Sequence, residues 1–296
     1  MNRHDNFPAA IAGVGLVHAL GGFAQLAEGG AMPANPAPPD TAELATNLLG
    51  VSLRRIPRYA RMALLAAIRA LDDAGWRQEA GMQDIALVIG TAYGGAQMSM
   101  DFMDSMIDDG PRLSSPTAFS YATNNMGAGL LSLLLQLQGP CLTVSQFELS
   151  FAGAVCAAIT LLYAGRAKRV LVGAVDEIDA RFSRCCPQIQ KTGIPQAEGA
   201  VFLCLELPHS DYPTLNIHWG KRNADQHPLF MSGTAQENED ITDWHENRYG
   251  HSPLSHALDA LLALHSVRQG LAPKIDCLCT AASNHTATIE IRGSQP

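Results

Sequence analysis

Several things are missing from this chain, and each absence removes a class of function. Its 296 residues contain no run of about 18 apolar residues, so no membrane-crossing helix is expected. Lys and Arg number 20 against 28 Asp and Glu, a net charge of −8, and they form no basic run or stripe. Nucleic acid is therefore not an expected partner. The seven cysteines, at positions 141, 156, 185, 186, 204, 277 and 279, form no CxxC pair, and their number is odd. They read as reduced thiols of a cytoplasmic protein. No zinc site is expected: Cys185-Cys186 is too tight, and Cys277-x-Cys279 fits a strand with both side chains on one face. Nucleotide loops are missing too. Gly13-Val14-Gly15 runs into Leu16, Val17 and His18 rather than into a helix, and the Gly-rich turn ending Asp84–Gly95 lacks a Gly-Lys-Ser/Thr. No cofactor is implied. Arg3 ahead of AAIAGVGLVHALGGFA imitates a signal peptide, but His18 and the glycine pairs interrupt it, and Ile11–Val17 reads better as a buried strand.

What is present centres on Gly139 to Asp179. Cys141–Ser145 is a short β-rich run bounded by Gly139-Pro140, which predicts a strand. A helix follows from Glu148 or Leu149 to Tyr163, apolar on nearly every face and rich in Ala and Gly; such a helix belongs inside a protein. Gly165 is placed to stop it, and Arg169–Val175 is a buried strand. Glu148 is the odd residue. It sits where the strand turns into the helix, facing the positive end of the helix dipole. Either it merely favours that dipole, or it occupies the place where an enzyme of this architecture would hold a nucleophile.

Elsewhere, Arg55–Trp76 predicts an amphipathic helix with a core stripe of Tyr59, Met62, Ala63, Ala66, Ile68 and Leu71. A helix near Gln97–Asp108 carries Met98, Met100, Met103 and Met106, a stripe better explained by adaptable packing than by a cofactor, with a binding surface as the other reading. Met126–Leu137 predicts an apolar helix and Ala200–Leu207 a strand. His251 and His256 lie five residues apart, off the spacing that shares a helix face, and no third ligand accompanies them, so no metal is assigned.

The Gly139–Asp179 stretch resembles the nucleophile turn of the β-ketoacyl synthases, in the thiolase-like superfamily. Gly139-Pro140, Thr143, Val144 and Ser145 fit that pattern, and the family's Thr-Ala-Cys falls on Gln146, Phe147 and Glu148. Glu198-Gly199-Ala200, Gly250-His251 and the Asp-Ala-Gly ending at Gly75 match further family features. The resemblance implies an α/β, thiolase-like layered fold (α-β-α-β-α) from two related halves, residues 1–207 and a shortened 208–296. It puts Glu148 at the nucleophile position, Ser232 at the first catalytic histidine and His251 at the second. Phe119, Phe147 and Asn284 are implied in the substrate tunnel, while the family's Phe-Gly-Gly loop is reduced to Ala281-Ala282-Ser283. Cys156 cannot replace the missing thiol, because it lies eight residues further along the helix. The implied function is a catalytically silent subunit, similar to the chain-length factors of type II polyketide and aryl-polyene systems. It would form a heterodimer with an active β-ketoacyl synthase, shape the acyl tunnel and meet acyl carrier protein in fatty acid or polyketide biosynthesis. Two rivals are a malonyl-carrier-protein decarboxylase used for priming and a non-catalytic homodimeric scaffold.

Overall fold

The computed structural model describes residues 7–23, 26, 32–47, 52–79, 82–186, 193–221, 249–281 and 285–294. The chain opens with β1 (Ala9–His18) and, after a loop and a single helical turn, α1 (Arg58–Asp73). Next come β2 (Ala86–Gly90), α2 (Ala96–Asp108), the short α3 (Pro116–Tyr121) and α4 (Met126–Leu134). The central unit is β3 (Cys141–Val144), α5 (Ser150–Tyr163) and β4 (Arg169–Asp176). It is followed by α6 (Ala180–Cys185), β5 (Gly199–Glu206) and β6 (Thr214–Lys221), then by α7 (Ser255–Arg268), β7 (Lys274–Thr280) and β8 (His285–Arg292).

The eight strands form one sheet in the order β3-β2-β4-β5-β1-β6-β8-β7. β2 is parallel to both β3 and β4, and the remaining pairings are antiparallel. In β4, Val170, Val172 and Ala174 face one core while Leu171 and Val175 face the other. β2 and β5 divide in the same way. Strands buried on both faces read as continuous apolar runs, which is why RVLVGAV and AVFLCLEL show no polar alternation. One core is filled by α1 and α4, the other by α5 and α7. The second core also takes the inner face of β6–β8, through Leu215, Ile217, Ile275, Cys277, Ile289 and Ile291. The described residues thus form the expected α/β fold, one large sheet with helices packed in two cores. The strands of the two ends join through a short pairing of Ala9 with Leu215 and Ala10 with Thr214.

The far face of β7 and β8 is polar. Lys274 binds Glu290 at 2.6 Å and Asp276 at 3.2 Å, and Arg292 binds Glu290 at 2.6 Å. Cys277 and Cys279 share the inner face, as expected from their spacing, and burial pushes both thiols up.

Two expectations need correction. Helix α1 is less amphipathic than its sequence suggests: beyond the expected stripe, Ala60, Leu64, Leu65, Ala67 and Ala70 are also buried. Small side chains let it lie directly on β1, where a Cβ on Gly15 would stand 2.0 Å from the Ala66 carbonyl oxygen and one on Gly13 would stand 2.5 Å from that of Ala70. The Gly-Val-Gly run thus serves helix–strand contact. Helix α2 buries only Ala96, so its methionines are not core packing; Met103 is 47% exposed and Ile107 74%. No described helix is long and apolar enough to cross a membrane.

Candidate functional site

Parallel strands deliver their loops to one edge of the sheet, where open α/β sheets place their sites. Gly90 is level with Val144 on one side and Ala174 on the other, so Thr91, Ser145 and Asp176 emerge close together. The Thr91 N–H donates to the Val144 carbonyl at 3.0 Å, extending the β2–β3 ladder by one bond.

After β3 the chain turns through Gln146 and enters a single tight turn, Phe147–Leu149, that leads into α5. Phe147 has φ +48°, a left-handed conformation that a bulky residue adopts only under constraint. The constraint is Ser150. Its buried hydroxyl oxygen lies 3.0 Å from the Thr91 carbonyl oxygen and 2.6 Å from that of Phe147, and it accepts the Gln146 N–H at 2.9 Å. Gly90 makes room beneath: a Cβ there would stand 2.5 Å from the Ser150 carbonyl oxygen. The outcome is a turn held from within, with Phe147 and Glu148 turned outward and exposed. Beside it lies a cavity of about 450 Å³ lined by Gln146, Phe147, Glu148, Leu149, Trp219, Ala281 and His285.

Two histidines of the C-terminal segment, His251 and His256, arrive separately. His256, in the first turn of α7, hydrogen-bonds through Nδ1 to the Glu148 carbonyl oxygen at 2.8 Å. A carbonyl only accepts, so Nδ1 carries the proton. Desolvation holds this imidazole below its ordinary pKa, opposed by Asp259 and Glu148 nearby. His251 is tied instead to residues 195–197, its N–H donating to the Pro195 carbonyl at 2.8 Å and its carbonyl accepting from the Ala197 N–H at 3.0 Å. Its side chain lines a small neighbouring cavity with Tyr93, Glu177, Phe182 and Gln196. Of the pair, it is His256 that reaches the turn carrying Glu148, a residue that sequence reasoning weighed only as a metal ligand. Ser232 and Asn284 lie outside the described residues. Phe147 lines the larger cavity, whereas Phe119 stands on the exposed α2–α3 surface, 5.2 Å ring to ring from Phe102.

Behind the turn is a buried acidic cluster that was not foreseen. Asp176 accepts the Thr91 hydroxyl at 2.9 Å and the N–H groups of Ala92 and Tyr93 at 3.0 and 2.8 Å. Burial still pushes its carboxyl up to about 6. Glu177 accepts the Tyr59 N–H at 3.1 Å and the Gln97 N–H at 2.9 Å, so one side chain caps the starts of α1 and α2 together. Burial pushes it up to about 7. Arg58 compensates in part, with Nε 3.6 Å from Glu177 and Nη2 3.1 Å from Glu198. It also donates to the Ile178 carbonyl at 2.6 Å. Tyr93 sits between this cluster and the turn. Burial first, then Asp176 and Glu148, raise its hydroxyl to about 12. The available signal was the Asp-Glu pair ending a wholly apolar strand.

At the sheet edge, β3 has a pairing partner only in β2 among the described residues. Cys141 and Leu142 are exposed on it, and Leu133 of α4 is exposed nearby in the fold.

Comparison with known proteins gives these arrangements a context. The family model for the β-ketoacyl synthase N-terminal domain matches residues 29–187, more than half of the chain. The 3-oxoacyl-[acyl-carrier-protein] synthase 2 of Rhizobium meliloti (strain 1021) is 30% identical over 132 residues, 44% of this chain and 31% of the relative. The synthase of the same name from Synechocystis is 27% identical over 124 residues, 42% of this chain and 30% of the relative. The matched part thus spans about a third of these relatives. Among solved structures, the ishigamide ketosynthase/chain length factor superimposes with a TM-score of 0.71 at 18% identity, covering 97% of this chain and 99% of that one. A type II polyketide synthase ketosynthase, solved with its acyl-carrier protein and bound to the hexaketide, gives 0.76 at 16% identity, with 97% and 99% covered. A ketosynthase in complex with its chain length factor from Xenorhabdus doucetiae gives 0.61 at 15% identity, with 95% and 98% covered.

Proposed function

Because this chain belongs to the β-ketoacyl synthase family through its N-terminal domain, we propose that it is a catalytically silent, chain-length-factor-like subunit that pairs with an active β-ketoacyl synthase. The observation that carries this reading is Glu148. The turn between β3 and α5 keeps an internally braced geometry, yet the residue it presents at the helix start is a carboxylate. In this reading Glu148 stands at the nucleophile position. A thiolate there would be favoured by the helix start and would accept an acyl chain as a thioester. A carboxylate is favoured by the same dipole but gives no stable acyl-enzyme, and it repels a malonyl carboxylate. Among the described residues His256 meets the turn through the Glu148 carbonyl and His285 lines the cavity beside it, but in this reading Glu148 offers them no acyl-enzyme to act on, and the chemistry of condensation is left to the partner.

The edge of the sheet supports the pairing. A strand whose outer edge has no partner among the described residues, and which bears exposed Cys141 and Leu142, is a template for a second strand, and proteins rarely leave such an edge uncovered. The exposed side chains Met103, Ile107, Phe119 and Leu133 of α2, α3 and α4 would wall the partner's acyl tunnel. Residues 1–207 then act as the pairing half and 208–296 as a shortened second half. Polyketide or aryl-polyene assembly, with acyl carrier protein as the delivering partner, is the setting in which such a subunit would work.

Co-expression with the nearest encoded ketosynthase, followed by mass measurement and a malonyl-elongation assay, tests the reading. A one-to-one complex whose product length changes when this subunit is altered supports it. A homodimer that ignores the ketosynthase overturns it in favour of a scaffold, and release of acetyl-carrier product by this chain alone overturns it in favour of a decarboxylase. Glu148→Cys by itself should yield no condensation.

A further inference from the structure

The cavity beside the turn has an unusual lining for a site in which residue 148 carries no nucleophile. Among the described residues Glu148 makes no ion pair, and no Lys or Arg lines the cavity. Two aromatic residues line the cavity together with Glu148. Phe147 is 64% exposed and Trp219 41%. The backbone of Phe147 is held at φ +48°, and its ring gains little packing in return. A strained residue that displays its side chain to solvent at a cavity mouth is a feature of ligand sites more than of stable turns. The remaining polar residues of the described lining are Gln146 and His285, and Leu149 and Ala281 complete it.

A cavity that holds a carboxylate and two aromatic side chains, with no Lys or Arg among its described lining residues, has the chemistry that recognises an organic cation. The ring quadrupoles attract the positive charge, and the anion adds to that attraction in the same direction. The same field disfavours carboxylated ligands. We propose that this cavity is a binding site for a small organic cation, an ammonium or quaternary ammonium group. This inference rests on the reading above, in that it takes Glu148 as a fixed anion rather than a participant in acyl transfer.

The test is calorimetric titration with choline and with its uncharged isostere dimethylbutanol, in which a tert-butyl group replaces trimethylammonium. Butyrate is the anionic control. Choline is expected to bind about tenfold more tightly than the isostere, the factor that about 1.4 kcal/mol of cation recognition supplies. Glu148→Gln and, separately, Trp219→Leu should each remove most of that preference while leaving the melting temperature unchanged, since both side chains are exposed. Equal affinities for choline and its isostere in the wild type, no choline binding, or a preference that survives Glu148→Gln would overturn the proposal. The titration is run on the chain alone and on its co-expressed complex with the ketosynthase. The mass of the species reports on pairing and the isostere ratio reports on the cavity, so either can fail without the other.

Discussion

Ser150→Ala is the sharpest probe of how the turn is built. Alanine fits the space, so no overlap arises and only the hydroxyl is lost. The loss leaves the Gln146 N–H without its acceptor at 2.9 Å and removes the donor shared between the Thr91 and Phe147 carbonyls. Ser150 is 3% exposed and Thr91 fully buried, so water does not easily replace the bonds at that side. An unmade bond of this kind costs about 1–3 kcal/mol. The left-handed Phe147, worth about 1–2 kcal/mol of strain, also loses its brace and relaxes, returning part of that sum. The net expectation is about 2 kcal/mol, a fall in Tm of about 3 °C for a chain of this size. Thermal denaturation followed by circular dichroism measures it. The control is Thr160→Ala, whose hydroxyl bonds the Cys156 carbonyl on an exposed face of the same helix; it should stay within about 0.5 kcal/mol of wild type. If Ser150→Ala melts with the wild type, or if Thr160→Ala falls as far, the braced-turn argument is wrong.

Further expectations follow from the same structure. Asp176 and Glu177 have folded pKa values of about 6 and about 7, above their ordinary 3.8 and 4.5, so the folded state holds more protons in between. Stability should therefore fall as pH rises from about 4 to about 7, and Glu177→Gln should flatten that slope in denaturant titrations across the range. A steeper slope in the variant would contradict the assignment. Gly15→Ala places a Cβ 2.0 Å from the Ala66 carbonyl oxygen and should cost more than about 3 kcal/mol or abolish soluble expression, measurable by urea unfolding. Leu142→Arg, on the exposed β3 edge, should leave the isolated chain's Tm unchanged and prevent co-purification of the ketosynthase; retained pairing would move the interface elsewhere.

Much of the framework was legible because local patterns and global packing agree. RVLVGAV and AVFLCLEL are strands, and the Ala- and Gly-rich segment after Ser150 is a buried helix, because apolar runs of those lengths have few other solutions. The turn at Gln146–Glu148 was also legible, since a Gly-Pro-bounded strand followed by a small-residue helix leaves little chain for anything else. The methionine helix was not. Its stripe is equally compatible with core and surface, and only the neighbours that α2 lacks decide the matter.

The remainder depended on what the fold brings together. His251 and His256 look alike in sequence, and His251 carries the better family match. The latch of Pro195 and Ala197 onto His251 holds it to one side, while the start of α7 aims His256 at Glu148. Arg58, Asp176, Glu177 and Glu198 are spread over 140 positions and carry no mutual spacing signal, so their convergence behind the turn could not be read from any local segment. Sequence by itself determined the main elements, the burial of the central strands and of α5, and the residue at the head of α5, since those follow from composition within a few turns of chain. Only the tertiary structure decided which distant groups share that site, because strand order and helix rotation are set by packing across the whole core.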